Sequence, residues 1–328
     1  MKINNIKKNT VLLFVFLITI NTYVKSETKT LPDSIHFVDF IELPGAYNWL
    51  VVKASIDNNR EDNFMLDTGG NAEIEMDSAY FFENWKTEKY TLMQTKVKMW
   101  YWDKYVIGDF EVKIGNHTFA AKKILLYNFS HKQIDKSLKG FIGFKAFENK
   151  MTVIDYDNKK IAFLDNIDID PSYYSAKLLP GRNVNDNNKH LRFVEIKGFK
   201  DKKGKDIPAL FLLDTGNATT ALFMKRNFGL KLSNMKKELK KVPAVVLANN
   251  HTIYNWSFKL DSISLGNFNL LELPARYETD ISDRIELLDG AEGLLGIVLL
   301  RRFNMIIDYK NNMFYFKPNK SFPKEKMY

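Results

Sequence analysis

A mainly β, internally duplicated, two-lobed chain with a few short helices is the fold class that the sequence predicts. Three observations carry it. Four short signals recur in the same order in both halves, the segments between them alternate as strands do, and Phe and Tyr are abundant, 25 and 15 of 328 residues, as suits pleated, half-buried surfaces. A chain of this length divides comfortably into two lobes of roughly 140 residues.

The repeat comes first because it decides the architecture. Leu43-Pro44-Gly45 matches Leu179-Pro180-Gly181, and Phe64-Met65-Leu66-Asp67-Thr68-Gly69 matches Phe211-Leu212-Leu213-Asp214-Thr215-Gly216. Ile114-Gly115-Asn116 matches Leu265-Gly266-Asn267. Ile142-Gly143 with Val153-Ile154-Asp155-Tyr156 matches Leu295-Gly296 with Ile306-Ile307-Asp308-Tyr309. Gly143 to Asp155 and Gly296 to Asp308 are both 12 positions. Asp67 to Gly143 is 76 and Asp214 to Gly296 is 82, and the six extra residues are expected in the acidic stretch Tyr277 to Glu292.

The local pattern supplies the elements. Val51 to Ile56 and Phe110 to Ile114 read as strands by partial alternation. Met151 to Tyr156 and Ile161 to Leu164 flank Asp157-Asn158-Lys159, a turn-rich hairpin, and Ile306 to Tyr309 and Met313 to Phe316 flank Asn311-Asn312 in the same way. Short helices are expected at Ser78 to Trp85 and at Leu222 to Phe228, the latter stopped by Gly229. Asn166 to His190, rich in Asp and Asn with Pro171, Pro180 and Gly181, is expected to hold the lobe boundary. The lobes are accordingly 27–170 and 171–328.

Residues 1–26 read as a secretory signal peptide. Lys2, Lys7 and Lys8 precede a ten-residue apolar run, Val11 to Ile20, too short to span a bilayer, and Val24 and Ser26 suit a cleavage site. The other reading is an uncleaved anchor. Export to the periplasm or the medium follows, with no stable membrane insertion after cleavage. The chain has no Cys, which excludes disulfides, thiol catalysis, Cys-bound zinc and a lipid-accepting cysteine. Net charge is +9, and +5 without the four lysines of the leader. That is too mild for a nucleic-acid partner, and Lys236-Lys237 and Lys240-Lys241 read as a solvated face.

Each Asp of the repeated Asp-Thr-Gly follows an apolar triplet, so each carboxylate is expected at the end of a buried strand where the chain turns. Gly69 and Gly216 allow the turn and a close backbone approach. A buried acid is costly unless hydrogen-bonded or neutralised. Two of them from equivalent loops can meet on a pseudo-two-fold axis and share one proton, one then serving as general base and the other as general acid. The bland alternative is that Asp67 and Asp214 only cap turns. Asp155 and Asp308 are duplicated too, but each sits beside a Tyr before a hairpin turn and is read as a structural hydrogen-bonding group.

On these motifs the chain resembles the aspartic proteases of the pepsin and retropepsin-like superfamily, above all the bacterial exported ones with two retropepsin-like halves in one chain. The resemblance spans most of Leu43 to Phe316. It implies a two-lobed acid-protease β-barrel fold and an exported aspartic endopeptidase acting, as a monomer, on peptide or protein substrates in extended form. It makes Asp67 and Asp214 the catalytic pair, with Thr68 and Thr215 cross-bonding beneath them beside Gly69 and Gly216. Ile142-Gly143 and Leu295-Gly296 would pack under the loops. The family places Ser, Thr or Ala after Asp-Thr-Gly; here Gly70 and Asn217 stand there. Met99-Trp100-Tyr101-Trp102 suits a flap hairpin tip over the cleft, with Trp100, Tyr101 and Trp102 near substrate, or else these are ordinary strand aromatics. Asn249-Asn250 is the matching turn of the second half.

Other chemistry finds less support. The five His do not pair at metal-ligand spacing, no His-Glu-x-x-His occurs, and no metal or other cofactor is implied. No Gly-x-Ser-x-Gly elbow and no phosphate loop are present. Two function classes stay open: the endopeptidase, and a degenerate, non-catalytic peptide-binding protein with the same fold. A glycosidase with paired carboxylates has only the two acids in its favour.

Overall fold

The computed structural model describes residues 35–43, 48–70, 72–99, 102–129, 135–180, 191–246, 252–278 and 290–322. The leader therefore lies outside the described residues, as do Pro44-Gly45, Trp100, Tyr101, Gly181, Asn249-Asn250 and most of the acidic stretch.

The protein is mainly β. The first half holds β1 (Val38–Glu42), β2 (Leu50–Ile56), β3 (Asp62–Asp67), β4 (Ile74–Asp77), β5 (Thr91–Met99), β6 (Trp102–Ile114), β7 (His117–Tyr127), β8 (Leu138–Gly143), β9 (Met151–Asp155) and β10 (Lys160–Leu164). The second half repeats the series as β11 (Tyr174–Pro180), β12 (Arg192–Lys200), β13 (Asp206–Asp214), β14 (Leu222–Met224), β15 (Met235–Val246), β16 (Thr252–Leu265), β17 (Phe268–Glu278), β18 (Gly293–Gly296), β19 (Phe303–Asp308) and β20 (Met313–Pro318).

Pairing closes β2, β3, β8, β4, β7 and β6 into a six-stranded barrel, β6 returning to β2. The order β12, β13, β18, β14, β17, β16 recurs in the second half, closed by Lys197 opposite Ser264. A third sheet joins the halves, in the order β1, β10, β9, β19, β20, β11, all antiparallel. Its central pair, β9 with β19, brings Val153 opposite Ile306. Full closure leaves few sheet edges to protect, and the barrels are filled by large side chains such as Phe64, Phe110, Phe199 and Phe211, all buried.

Registers correct two expectations. Ile74 and Leu222 are equivalent, since they pair with Ile142 and Leu295, each one residue before a Gly. Asp67 to Ile74 is 7 residues against 8 for Asp214 to Leu222; Ile74 to Ile124 is 50 against 53 for Leu222 to Ala275; Ile124 to Ile142 is 18 against 20 for Ala275 to Leu295. The six extra residues are thus spread over three connections and not gathered in the acidic stretch. Likewise Leu179 pairs with Phe193 as Ile41 pairs with Val51. The Leu-Pro-Gly match is therefore two residues out of structural register. Within the stretch 166–190, β11 pairs with β20 and β12.

Helices are few. Helix α1 (Ser78–Asn84) starts where the Asp77 side chain accepts from the Tyr80 N–H, and ends at Trp85. Leu222–Met224 is a strand, not helix: all three residues are buried between β17 and β18, and only Arg226–Gly229 (α2) is helical. A further turn of helix, α3 (Ile297–Leu300), follows β18. Both hairpins form where expected, each held by its duplicated acid. Asp155 accepts from the backbone and side chain of Asn158, and Asp308 does so from Asn311.

Candidate active site

The two Asp-Thr-Gly loops leave the ends of β3 and β13. Phe64, Met65, Leu66 and Phe211, Leu212, Leu213 are buried, so hydrophobic burial fixes each strand up to its Asp. β3 runs parallel to β8 and β13 to β18: Asp67 lies beside Gly143 and Asp214 beside Gly296. No side chain fits there. A Cβ on Gly143 would overlap the Ala72 carbonyl, and one on Gly296 the Thr220 carbonyl.

The loops interlock. The Thr68 hydroxyl accepts from the Thr215 N–H at 3.0 Å and donates to the Leu213 carbonyl at 2.9 Å. The Thr215 hydroxyl accepts from the Thr68 N–H at 3.0 Å and donates to the Leu66 carbonyl at 2.7 Å. Four buried hydrogen bonds thus tie residues almost 150 positions apart, and each satisfies a backbone group that would otherwise be costly to bury.

Above this lock a hydrogen bond joins the Asp67 and Asp214 carboxyl groups. The glycines permit the approach: a Cβ on Gly69 would stand 2.6 Å from Asp214 Cγ, and one on Gly216 2.6 Å from Asp67 Oδ1. The Gly69 N–H donates to Asp67 Oδ1 at 2.9 Å and the Asn217 N–H to Asp214 Oδ1 at 3.0 Å.

The pair is not symmetric. Asp214 is buried and Asp67 is partly open. Burial pushes the Asp214 carboxyl well above the usual carboxylate range, and the neighbouring Asp67 charge adds to the push. Burial raises Asp67 as well, offset by donors from Gly69, Gly70 and Gly216 and by the bond to Asp214. One proton held between the two is the consistent state.

The residues after the glycines differ from a hydroxyl pair as the sequence says. At Gly70 a Cβ would meet Asp67 Oδ2 at 3.4 Å, an ordinary contact, and the backbone there is not left-handed. Asn217 serves Asp214 through its backbone N–H; its side-chain Nδ2 is buried without a hydrogen-bond partner.

Sequence reasoning missed several neighbours of the pair. Tyr127, at the end of β7, is buried close enough for the Asp67 charge to act on it, with its hydroxyl bonded to Glu75; burial first, then Glu75, holds the phenol well above its usual range. Tyr309 also lies near Asp67, stacked on Phe144 at 5.0 Å, with Arg192 beside it. Trp49 donates its indole N–H to the Gly216 carbonyl at 2.9 Å. The spacing of these residues in sequence gave no signal of this. Of the flap residues, Trp100 and Tyr101 lie outside the described residues; Trp102 opens β6 and pairs with Met99 of β5. Among the described residues no cluster of His, Asp and Glu suits a metal ion.

No family model matches the chain, and no curated protein matches it either.

Proposed function

We propose that this chain is an exported aspartic endopeptidase of the pepsin and retropepsin-like superfamily, its two halves the two lobes of that fold. The observation that carries the reading is the carboxyl pair: two hydrogen-bonded acids at the ends of equivalent strands, locked by reciprocal threonine bonds, with burial favouring one shared proton.

On this reading the two acids take separate roles. Asp67, more open and ionised, takes a proton from water as the water oxygen attacks the peptide carbonyl carbon. Asp214 gives its proton to the carbonyl oxygen, which yields a tetrahedral diol. In the second step Asp67 passes its proton to the amide nitrogen, Asp214 recovers one from a diol hydroxyl, and the C–N bond breaks to acid and amine. Both carboxyls end as they began. The substrate is a peptide in extended form, the shape that sheet proteins bind along a cleft. Export rests on the amino-terminal pattern alone.

A peptide-binding protein without turnover is favoured by one observation, the absence of a side-chain hydroxyl after either Asp-Thr-Gly. Digestion of a mixed peptide library between pH 3 and 8 separates the two. New termini support the peptidase. Tight binding of a peptide with a hydroxyl-bearing isostere at the scissile position, with no cleavage of ordinary peptides, supports the binder.

A further inference from the structure

The two loops are equivalent in their threonine bonds but not in what reaches them from outside. Trp49, just before β2, sends its indole N–H to the Gly216 carbonyl at 2.9 Å, across 167 residues of chain. Its ring is buried and meets Phe141 edge-on at 6.4 Å, which fixes the direction of the N–H. The Gly216 carbonyl and the Asn217 N–H are the two ends of one planar peptide unit. That N–H is the donor to Asp214 Oδ1, at 3.0 Å. An amide that accepts at its oxygen becomes a stronger donor at its nitrogen, because each bond polarises the next. Indole, peptide and carboxyl therefore form one chain of hydrogen bonds.

Among the described residues the first half has no counterpart. Val51 pairs with Met65 as Phe193 pairs with Leu212, so the residue in the position of Trp49 is Leu191. A leucine cannot donate to the Gly69 carbonyl.

We propose that Trp49 is a positioning residue for Asp214, orienting and polarising the Gly216–Asn217 peptide so that the second carboxyl alone has its donor tuned by a side chain of the other half. The consequence for turnover rests on the peptidase reading; the consequence for proton affinity does not. The charged and titratable groups facing the pair are Asp67 against Asp214, and, on the Asp67 side, Tyr127 with Glu75 and Tyr309 with Arg192. None of them lies on the path from indole to carboxyl, and a change at Trp49 leaves their charges as they are.

The sign follows from the donor. A bond to the ionised carboxylate favours ionisation, so removing the indole N–H raises the proton affinity of the pair. Trp49→Phe keeps an aromatic ring against Phe141 and deletes the donor. Trp85→Phe is the matched reference: its indole N–H is buried without a partner, and its ring stacks on Phe81 at 5.5 Å.

The test is a carbon-13 titration of the Asp carboxyls by NMR in the wild type and both variants. Trp49→Phe is expected to move the lower apparent pKa of the pair upward by about 0.2–0.6 pH units, and Trp85→Phe to leave it in place. In the wild type the Trp49 indole proton is expected to titrate together with the pair, a readout that needs no variant should Trp49→Phe fail to fold. An unmoved pair in a folded Trp49→Phe protein, an equal shift in Trp85→Phe, or an indole proton indifferent to the pair overturns the proposal. If peptides are cleaved, the acidic limb of kcat/KM moves upward with the carboxyls and kcat falls while KM stays within about twofold. Carboxyls that shift as expected in a protein that cleaves nothing leave the positioning role standing and remove the peptidase.

Discussion

Thr68 and Thr215 each accept the other's backbone N–H at 3.0 Å, so neither loop closes without the other. The relation is reciprocal, and it makes the site a joint product of both halves. Thr68→Ala removes an acceptor and a donor together and leaves the Thr215 N–H and the Leu213 carbonyl unpaired in the interior. The expected cost is about 2–4 kcal/mol. Thr68→Ser keeps the hydroxyl and is expected to recover most of it. Thr68→Ala and Thr215→Ala combined are expected to cost less than the sum of the singles, because they break one network. Denaturant midpoints of the wild type, the two alanine variants, their double and Thr68→Ser check this; additive losses contradict it.

Gly69 and Gly216 have ordinary backbone conformations, so alanine is forbidden there by contact and not by φ. A Cβ 2.6 Å from the opposing carboxyl must push the acids apart. Gly69→Ala and Gly216→Ala are each expected to fold and to lose at least about 100-fold in kcat, as misplacement near 1 Å does. Near-normal turnover in either folded variant contradicts the packing argument.

Gly70 offers the opposite case. Its Cβ direction is open and points toward Asp67 Oδ2 at 3.4 Å. The wild-type rate profile is expected to be bell-shaped, with its maximum roughly between pH 5 and 7. A serine hydroxyl at position 70 donates to the ionised acid and lowers its pKa. Gly70→Ser is expected to carry the acidic limb downward by about 0.5–1 pH unit. A stable, active variant whose limb stays or rises shows that this position does not set the proton affinity of the pair.

Stability should bear the mark of the raised carboxyls. The native pair holds its proton more tightly than unfolded Asp does. Below about pH 4 both states are protonated and the pair costs nothing; stability is then lost as pH rises through the native pKa values. Asp214→Asn removes this penalty. The variant is expected to be more stable than the wild type at pH 7 by about 1–2 kcal/mol, with the gain vanishing near pH 4. A gain that grows toward acid pH contradicts the sign.

What the sequence made legible was whatever rested on local burial. The apolar triplets before Asp67 and Asp214 predicted strand ends, and the turn residues after Asp155 and Asp308 predicted hairpins; both are in place. Leu222–Met224 misled because a short apolar run has the same appearance in a buried strand and a buried helix. The residues it pairs with in β17 and β18 lie 53 or more positions away. The Leu-Pro-Gly match misled for a similar reason: composition repeated while register did not. Trp49 and Tyr127 were invisible because closure of the barrel and the meeting of the halves bring them to the site, and no spacing encodes that. Trp100 and Tyr101 lie outside the described residues.

The central claim is that Asp67 and Asp214 together activate water against a peptide bond. Its most direct test is digestion of a mixed peptide library in oxygen-18 water by the wild type, Asp67→Asn and Asp214→Asn, each shown to be folded, with the products read by mass spectrometry. New carboxyl termini carrying one oxygen-18 are expected with the wild type, and none above background with either variant, since an amide can neither accept nor supply the proton. Cleavage undiminished in either variant, or no cleavage by the folded wild type at any pH between 3 and 8, contradicts it.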